Sequence, residues 1–535
     1  MPFLTQLGKG ILFTGAIRMK VFDTPTFPEN GIIYEGDYYL DIPYHLYIGE
    51  EEIPEGPRFD VRDYGAVTEA GVLSTEAIQK ALDDAAGKNG VVIVSGGAYT
   101  TGTLSIHSNT TLFIESGSSI SASKNLSSFS DAFIKAVDAE NVTICGGGRI
   151  NANGEYFVYL PHERPLTTPL GYTKLPPVLT DPMGSPSDTS RFKYRERIRY
   201  AEDKWKEGKE NIQRPMYTLW IRGSKNVDIH NIIIRDSLDW SLSIDMSENV
   251  TVENFVIDNN RHVANTDGID IMSSKHVSVK HVFISTADDG LCVKAPMVQG
   301  HDSINVENSK MPMGPAEDIE IEDATVISVM NAFKIGTETY FDIKNVRCRN
   351  CTFMLPDIFP GGVSGISIES ADGSNISDVK LENIKVKNIA VPVFISLCRR
   401  NKFGYLSAED EKKKAKGGSV SNITIENVQA EGMESSCIIT GFKDEEGYTG
   451  RVKDITIKNL NAIYLDNEER LEILPQIREN VKDYPESNAL GDMPSYGFYI
   501  RHTDNIKLEN VSVTPRSMNT REMIVTDDVN NLSII

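Results

Sequence analysis

The stretch NVDIHNIII at residues 226–234 returns as NVTVENFVI at 249–257 and as HVSVKHVFI at 276–284. The first two intervals are 23 and 27 residues. Later copies begin at Asp318, Asn345, Asp378, Asn422, Asp454 and Asn505. Each copy alternates polar and apolar residues, which reads as two short strands with one buried face. The recurrent Asn or Asp falls where a tight turn is needed, because these residues tolerate left-handed backbone and bond their own main chain. One copy cannot bury its apolar face alone, so neighbours must stack. The expected fold is all-β, a right-handed parallel β-helix. A leucine-rich horseshoe is disfavoured, since no leucine-spaced consensus appears and helical stretches between copies are scarce.

Working outward, Phe59–Ala66 opens the solenoid. Residues 74–86 carry helical periodicity, with Ser74 as N-cap and Gly87 at the end, and would cap the open N-terminal face. Val91–Val94 reads as a buried first strand. Residues 1–57 form an expected N-terminal β extension that ends in the turn Pro54-Glu55-Gly56-Pro57, and 58–535 form the catalytic solenoid. Three stretches break the repeat: 159–215, with a charged helical pattern at 190–209; 402–416; and 465–495. Long loops on one side of a solenoid commonly wall a groove.

The net charge of −22 argues against nucleic acid and anionic membrane surfaces as partners. No run reaches about 18 apolar residues, so no transmembrane helix is expected. The segment Gly10–Ile17 is too short and glycine-broken for a secretory signal. The expectation is a cytoplasmic protein, with secretion as the alternative. The six cysteines lie mostly at apolar strand positions and read as buried thiols. Cys348-x-x-Cys351 lacks a second such pair and reads as packing rather than zinc or redox chemistry.

Two acidic motifs stand one repeat apart. Asn265-Thr266-Asp267-Gly268 precedes Ala287-Asp288-Asp289-Gly290, with 21 residues from Asp267 to Asp288. On a solenoid that spacing brings three carboxylates from adjacent rungs to one face, which is what acid-catalysed glycoside hydrolysis requires. A single Asp-Gly is an ordinary turn; the joint occurrence at rung spacing is not. Lys294 follows on the next strand and either binds substrate or pairs with an aspartate. Asn265 orients Asp267 or forms the turn.

Phe59–Ala66, the turn Gly146–Asn151, NTDGIDI at 265–271, ADDGLCVK at 287–294 and Ser495–His502 together resemble glycoside hydrolase family 28. These are the polygalacturonases and their relatives in the pectin-lyase-like superfamily. The resemblance runs from about 59 to 513. It implies an inverting mechanism in which Asp288 is the general acid while Asp267 and Asp289 hold and deprotonate a water. It also implies two motifs that the chain lacks. Asn331 stands where the family's Gly-His-Gly has its histidine. Ser367 and Glu369 stand nearest the register of Arg-Ile-Lys, which grips a galacturonate carboxylate.

A Glu in that place would repel an acidic sugar. Either Lys334, Arg399 or Arg400 substitutes, or the sugar there is neutral and Glu369 and Glu338 bond its hydroxyls. His262 is a further groove candidate. The function expected is hydrolysis of galacturonate- or rhamnogalacturonan-type oligosaccharides, exo-acting, with no cofactor and no metal. The alternatives are a lyase or epimerase, with the paired aspartates as calcium ligands, and a glycan-binding protein. A binding protein should show an aromatic platform, and Trp240, just before the aspartates, is the candidate.

Overall fold

The computed structural model describes residues 44–154, 215–259, 265–297, 313–355, 362–402, 404–465, 476–516 and 519–535. Every pairing in its main sheet system is parallel apart from one isolated bridge, and the strands wind into a right-handed parallel β-helix. The starts of the repeats explain the winding. Asn226, Asn249, His276, Asp318, Asn345, Asp378, Asn422, Asp454 and Asn505 all have φ between 53° and 58°. A second left-handed position follows five residues after each of them, as at Asn231, Asn254, Asp323, Asn383 and Asn459. That residue bends each long strand at a corner and resets its alternation. In Lys225–Arg235 the inward set is Val227 and Ile229 before the corner, then Ile232 and Ile234 after it.

Left-handed backbone costs an ordinary L-residue roughly 1–2 kcal/mol, less for Asn and Asp. The side chains at these corners also bond from rung to rung. Asn249 donates to Asn226 at 3.1 Å, Asn427 to Asn383 at 3.0 Å and Asn459 to Asn427 at 2.9 Å.

One continuous apolar core runs from Val61 to Val513, and strands continue to Glu522–Ile534. The helix Thr75–Ala85 closes the N-terminal face by burying Ile78, Ala81, Leu82 and Ala85 over the first rung. Ser74 precedes it but does not cap it with its side chain; its hydroxyl instead pairs with the backbone of Val67. Gln79 meets the main chain of Ser105 at 2.8 and 3.0 Å, mimicking a further strand. Among the described residues the first strand is Arg58–Asp60, which pairs with Val91–Ile93 and so precedes the strand expected to be first.

Residues 44–57 contain a turn, Tyr44–Leu46, but no paired strand; residues 1–43 lie outside the described residues. This segment runs along the outer wall, where Tyr47 packs on Phe283 and stacks on His281. The expected helix at 190–209 also falls outside the described residues. The 402–416 insertion contains the helix Ala408–Lys414, capped by Ser407. All six cysteines are buried thiols.

Candidate active site

One wall of the coil consists of Tyr217–Arg222, Trp240–Asp245, Ile269–Met272, Leu291–Ala295, Asn331–Thr339, Ser364–Ser370 and Val391–Leu397, stacked in that order. Alternation turns Leu242, Ile269, Leu291, Phe333, Ile366 and Val393 inward to the core. Their neighbours point outward and align as Ser243, Asp270, Cys292, Lys334, Ser367 and Phe394. Asp267, Asp288 and Asp289 sit in the turns that feed this wall. The glycine after each motif lets those turns stack. A Cβ on Gly268 would lie 2.2 Å from the Gly290 carbonyl, and one on Gly290 would lie 2.7 Å from the Ala332 carbonyl.

Carboxylate oxygens of Asp267, Asp288 and Asp289 all lie within 4.8 Å of one another. Three atoms so placed leave a point within about 2.8 Å of each, which is hydrogen-bond distance for one water. Asp267 and Asp289 are buried, and Asp288 is the most open of the three. Two ammonium groups flank them. Lys294 Nζ is 3.3 Å from Asp267 and 2.7 Å from Asp270. Lys334 Nζ is 3.2 Å from Asp289, 3.0 Å from Glu486 and 3.9 Å from Glu369. Asn331 Nδ2 donates to Asp289 at 2.8 Å and to Glu486 at 3.3 Å.

Burial, then the charges of Asp270, Asp288 and Asp289, push the Asp267 carboxyl well above its usual range against the pull of Lys294. Burial also lifts Asp270, to about 6. Desolvation works against the charged forms of Lys294 and Lys334, yet the surrounding carboxylates outweigh it and hold both lysines protonated. The donor set could take a divalent cation, but the two ammonium groups already offset much of its charge.

Several expected residues converge here: Asp267, Asp288, Asp289, Lys294, Asn331 and Lys334. Asn265 forms the turn before them, with φ of 59°. Glu369 differs from expectation. It is fully buried beneath Lys334 and takes a hydrogen bond from Ser367, so it faces a lysine inside the wall rather than standing in the groove where it would repel a sugar acid. Burial comes first among the causes that raise its carboxyl. Arg399 also differs: it pairs with Asp444 at 3.1 Å and lies over Phe442, away from the aspartates. Its neighbour Arg400 turns the other way, gripping Asp372 through two nitrogens and approaching Glu338 at 3.8 Å. His262 lies outside the described residues.

Sequence reasoning missed Asp270, Lys402, Tyr484 and Glu486 as site residues. Asp270 was readable, because Ile269 and Ile271 face inward and the residue between them must face out. Lys402 Nζ lies 3.9 Å from Glu338, and burial followed by the Lys294 charge lowers it to about 8. Tyr484 and Glu486 arrive on the 465–495 insertion. Arg501, fully buried, seats that segment by donating to the carbonyls of Ile477 at 2.9 Å and Arg478 at 3.1 Å.

Apolar clusters flank the charged patch on either side along the wall. Tyr217, Trp220, Trp240, Met272 and Met313 pack together toward the N-terminal end. Val391, Phe394, Ile438 and Tyr499 lie under Ile477, Leu490 and Met493 toward the C-terminal end. Trp240 borders the site itself, with the Lys294 ammonium 4.1 Å from its ring centroid.

Against this geometry, the family model described as "Glycosyl hydrolases family 28" matches residues 198–470, half of the chain. The chain belongs to glycosyl hydrolase family 28. It is a glycosidase, and its substrate is a poly- or oligosaccharide. Among curated family 28 relatives, the endo-polygalacturonase of Pectobacterium carotovorum subsp. carotovorum is 25% identical over 352 residues, covering 62% of this chain and 73% of the relative. The exo-poly-alpha-D-galacturonosidase of Dickeya chrysanthemi is 24% identical over 415 residues, covering 72% and 65%. Among solved structures, the Yersinia enterocolitica family 28 exopolygalacturonase aligns with a TM-score of 0.60 at 17% identity, covering 89% of this chain and 78% of its own. The Thermotoga maritima exopolygalacturonase aligns with 0.59 at 20%, covering 88% and 94%. These two share the fold with this family 28 chain.

Proposed function

We propose that the chain is an inverting, exo-acting hydrolase of pectic oligosaccharides carrying galacturonate. Asp267 and Asp289 hold the attacking water between them, each supported by a lysine. Asp288, the most open of the three, protonates the glycosidic oxygen. Clustered carboxyls share protons as a unit, so the triad retains one for the leaving group while two remain bases. An inverting pair usually stands about 6.5–9.5 Å apart to admit water, and the tighter triad here would seat that water in its centre.

The observation that carries the exo reading is the end wall. Residues 476–490 cross the outward face one rung beyond the aspartates, and Glu486 reaches Lys334 and Asn331 themselves. A chain threading through the groove would meet Tyr484 and Glu486; a chain end would stop there. The names of the Dickeya, Yersinia and Thermotoga relatives agree with this reading. For the sugar carboxylate, Lys402 and Arg400 supply positive charge beside Glu338, where Ser367 and Glu369 were the sequence matches. A cation is therefore at hand for an acidic sugar, which favours galacturonan over a rhamnogalacturonan-type substrate. The test is digestion of end-labelled oligogalacturonides. Single sugars released from one end support the reading; early internal fragments reject it.

A further inference from the structure

We propose that Glu51, Cys145 and His230 form a zinc-type divalent-metal site that clamps the 44–57 segment to the outside of the coil. The three side chains come from separate parts of the chain, and one ligand atom from each lies within 4.8 Å of the other two. Thiolate, imidazole and carboxylate are the donors that zinc takes, with bonds of about 2.0–2.3 Å in tetrahedral geometry. His230 Nε2 and Glu51 Oε1 stand 2.9 Å apart and need open only a few tenths of an ångström to share an ion.

The surroundings are built like the outer shell of a metal site. Asp228 lies 3.1 Å from His230 Nδ1, which leaves Nε2 turned to Glu51 and Cys145. A carboxylate behind a ligating imidazole is the usual arrangement at zinc. The backbone N–H of Gly146 and the Asn231 amide both hold Glu51 Oε2 at 3.0 Å, while Oε1 faces His230. Cys145 is wholly buried among Val91, Ile93, Phe113 and Ile53; that burial disfavours a bare thiolate, so the thiol would ionise only against a bound dication. His230 and Glu51 are about a quarter exposed, so an ion can reach the cluster and a water can complete its coordination. Binding would release two protons, from the imidazolium and the thiol, in exchange for the dication.

The test uses the full chain, stripped with chelator and dialysed against zinc or, separately, cobalt, followed by elemental analysis and absorption spectroscopy. We expect one equivalent of metal and a thiolate-to-cobalt charge-transfer band. Cys145→Ser should lose both. Asp228→Asn should weaken binding by about 10–100-fold. Absence of bound metal would mean an ion-paired latch only and overturn the proposal. So would metal kept by Cys145→Ser, metal lost instead in Asp267→Asn, or a band that vanishes in Cys348→Ala. Should Cys145→Ser fail to fold, the wild-type band and its loss in His230→Gln decide the matter.

Discussion

Two walls of one coil follow opposite rules. On the outer walls, charged residues alternate with core residues, stay partly exposed and pair both across rungs, as Lys380 does with Glu426 at 3.0 Å, and along a strand, as it does with Glu382. On the wall beside the aspartates the same alternation holds, yet the outward positions are buried, and Asp270 and Lys334 among them are charged. Lys334 is fully buried amid three carboxylates. The backbone is regular in both places apart from one register shift between Val293 and Ala295 on the wall beside the aspartates. What differs is that turns and insertions close over one wall, so its polar residues sit in low dielectric and shift each other's protonation. The scaffold is made by repetition, and the chemistry lies where repetition is covered over.

The largest expected effect falls on the covered wall. Asp288→Asn should lower turnover by at least about 10²–10⁴-fold while the fold survives, since the amide cannot donate the proton. Steady-state hydrolysis with a circular-dichroism control checks this, and near-normal turnover by the folded variant would remove Asp288 from the acid role. The next effect contrasts the walls directly. Lys334→Met leaves Asp289, Glu369 and Glu486 without their common cation, and should cost about 3–5 kcal/mol. Lys380→Met, on the exposed wall, should cost no more than about 1 kcal/mol. Urea unfolding of both variants compares them; equal losses would erase the distinction.

The corners come next. Asn249→Ala puts a residue without a polar side chain at φ of 57° and removes a rung-to-rung hydrogen bond. A loss of about 1–2 kcal/mol is expected, with activity unchanged. A further effect concerns Lys402. Its pKa is lowered to about 8, so its charge is present below that pH and lost above it. KM for an acidic oligosaccharide should therefore rise as pH passes through about 8. Lys402→Met should raise KM roughly tenfold at pH 7, in line with about 1.4 kcal/mol, and flatten that rise. A KM that ignores both changes would place the uronate elsewhere.

The solenoid was legible because its signals are local: a left-handed Asn or Asp, then alternation, at every rung. The aspartate triad was legible for the same reason, since rung spacing converts sequence distance into spatial neighbourhood. Glu369 misled because alternation shows which way a residue points but not what covers it. Arg399 and Arg400 are adjacent and chemically alike, and only the turn geometry decides which one faces Glu338. Glu486 carries no sequence signal, because its place depends on Arg501 anchoring an irregular segment against a wall residue, Lys334, that lies 152 residues away. The Glu51–Cys145–His230 cluster was hidden likewise, its members lying in three different elements.

The most direct test of the central claim follows the first turnover of a linear α-1,4-linked trigalacturonide by proton NMR. We expect free galacturonate to appear first as the β-anomer, mutarotating later, with the disaccharide as the sole co-product. An initial α-anomer would contradict inversion at the triad. With longer oligomers, internal fragments ahead of monosaccharide would contradict the end wall formed by Tyr484 and Glu486.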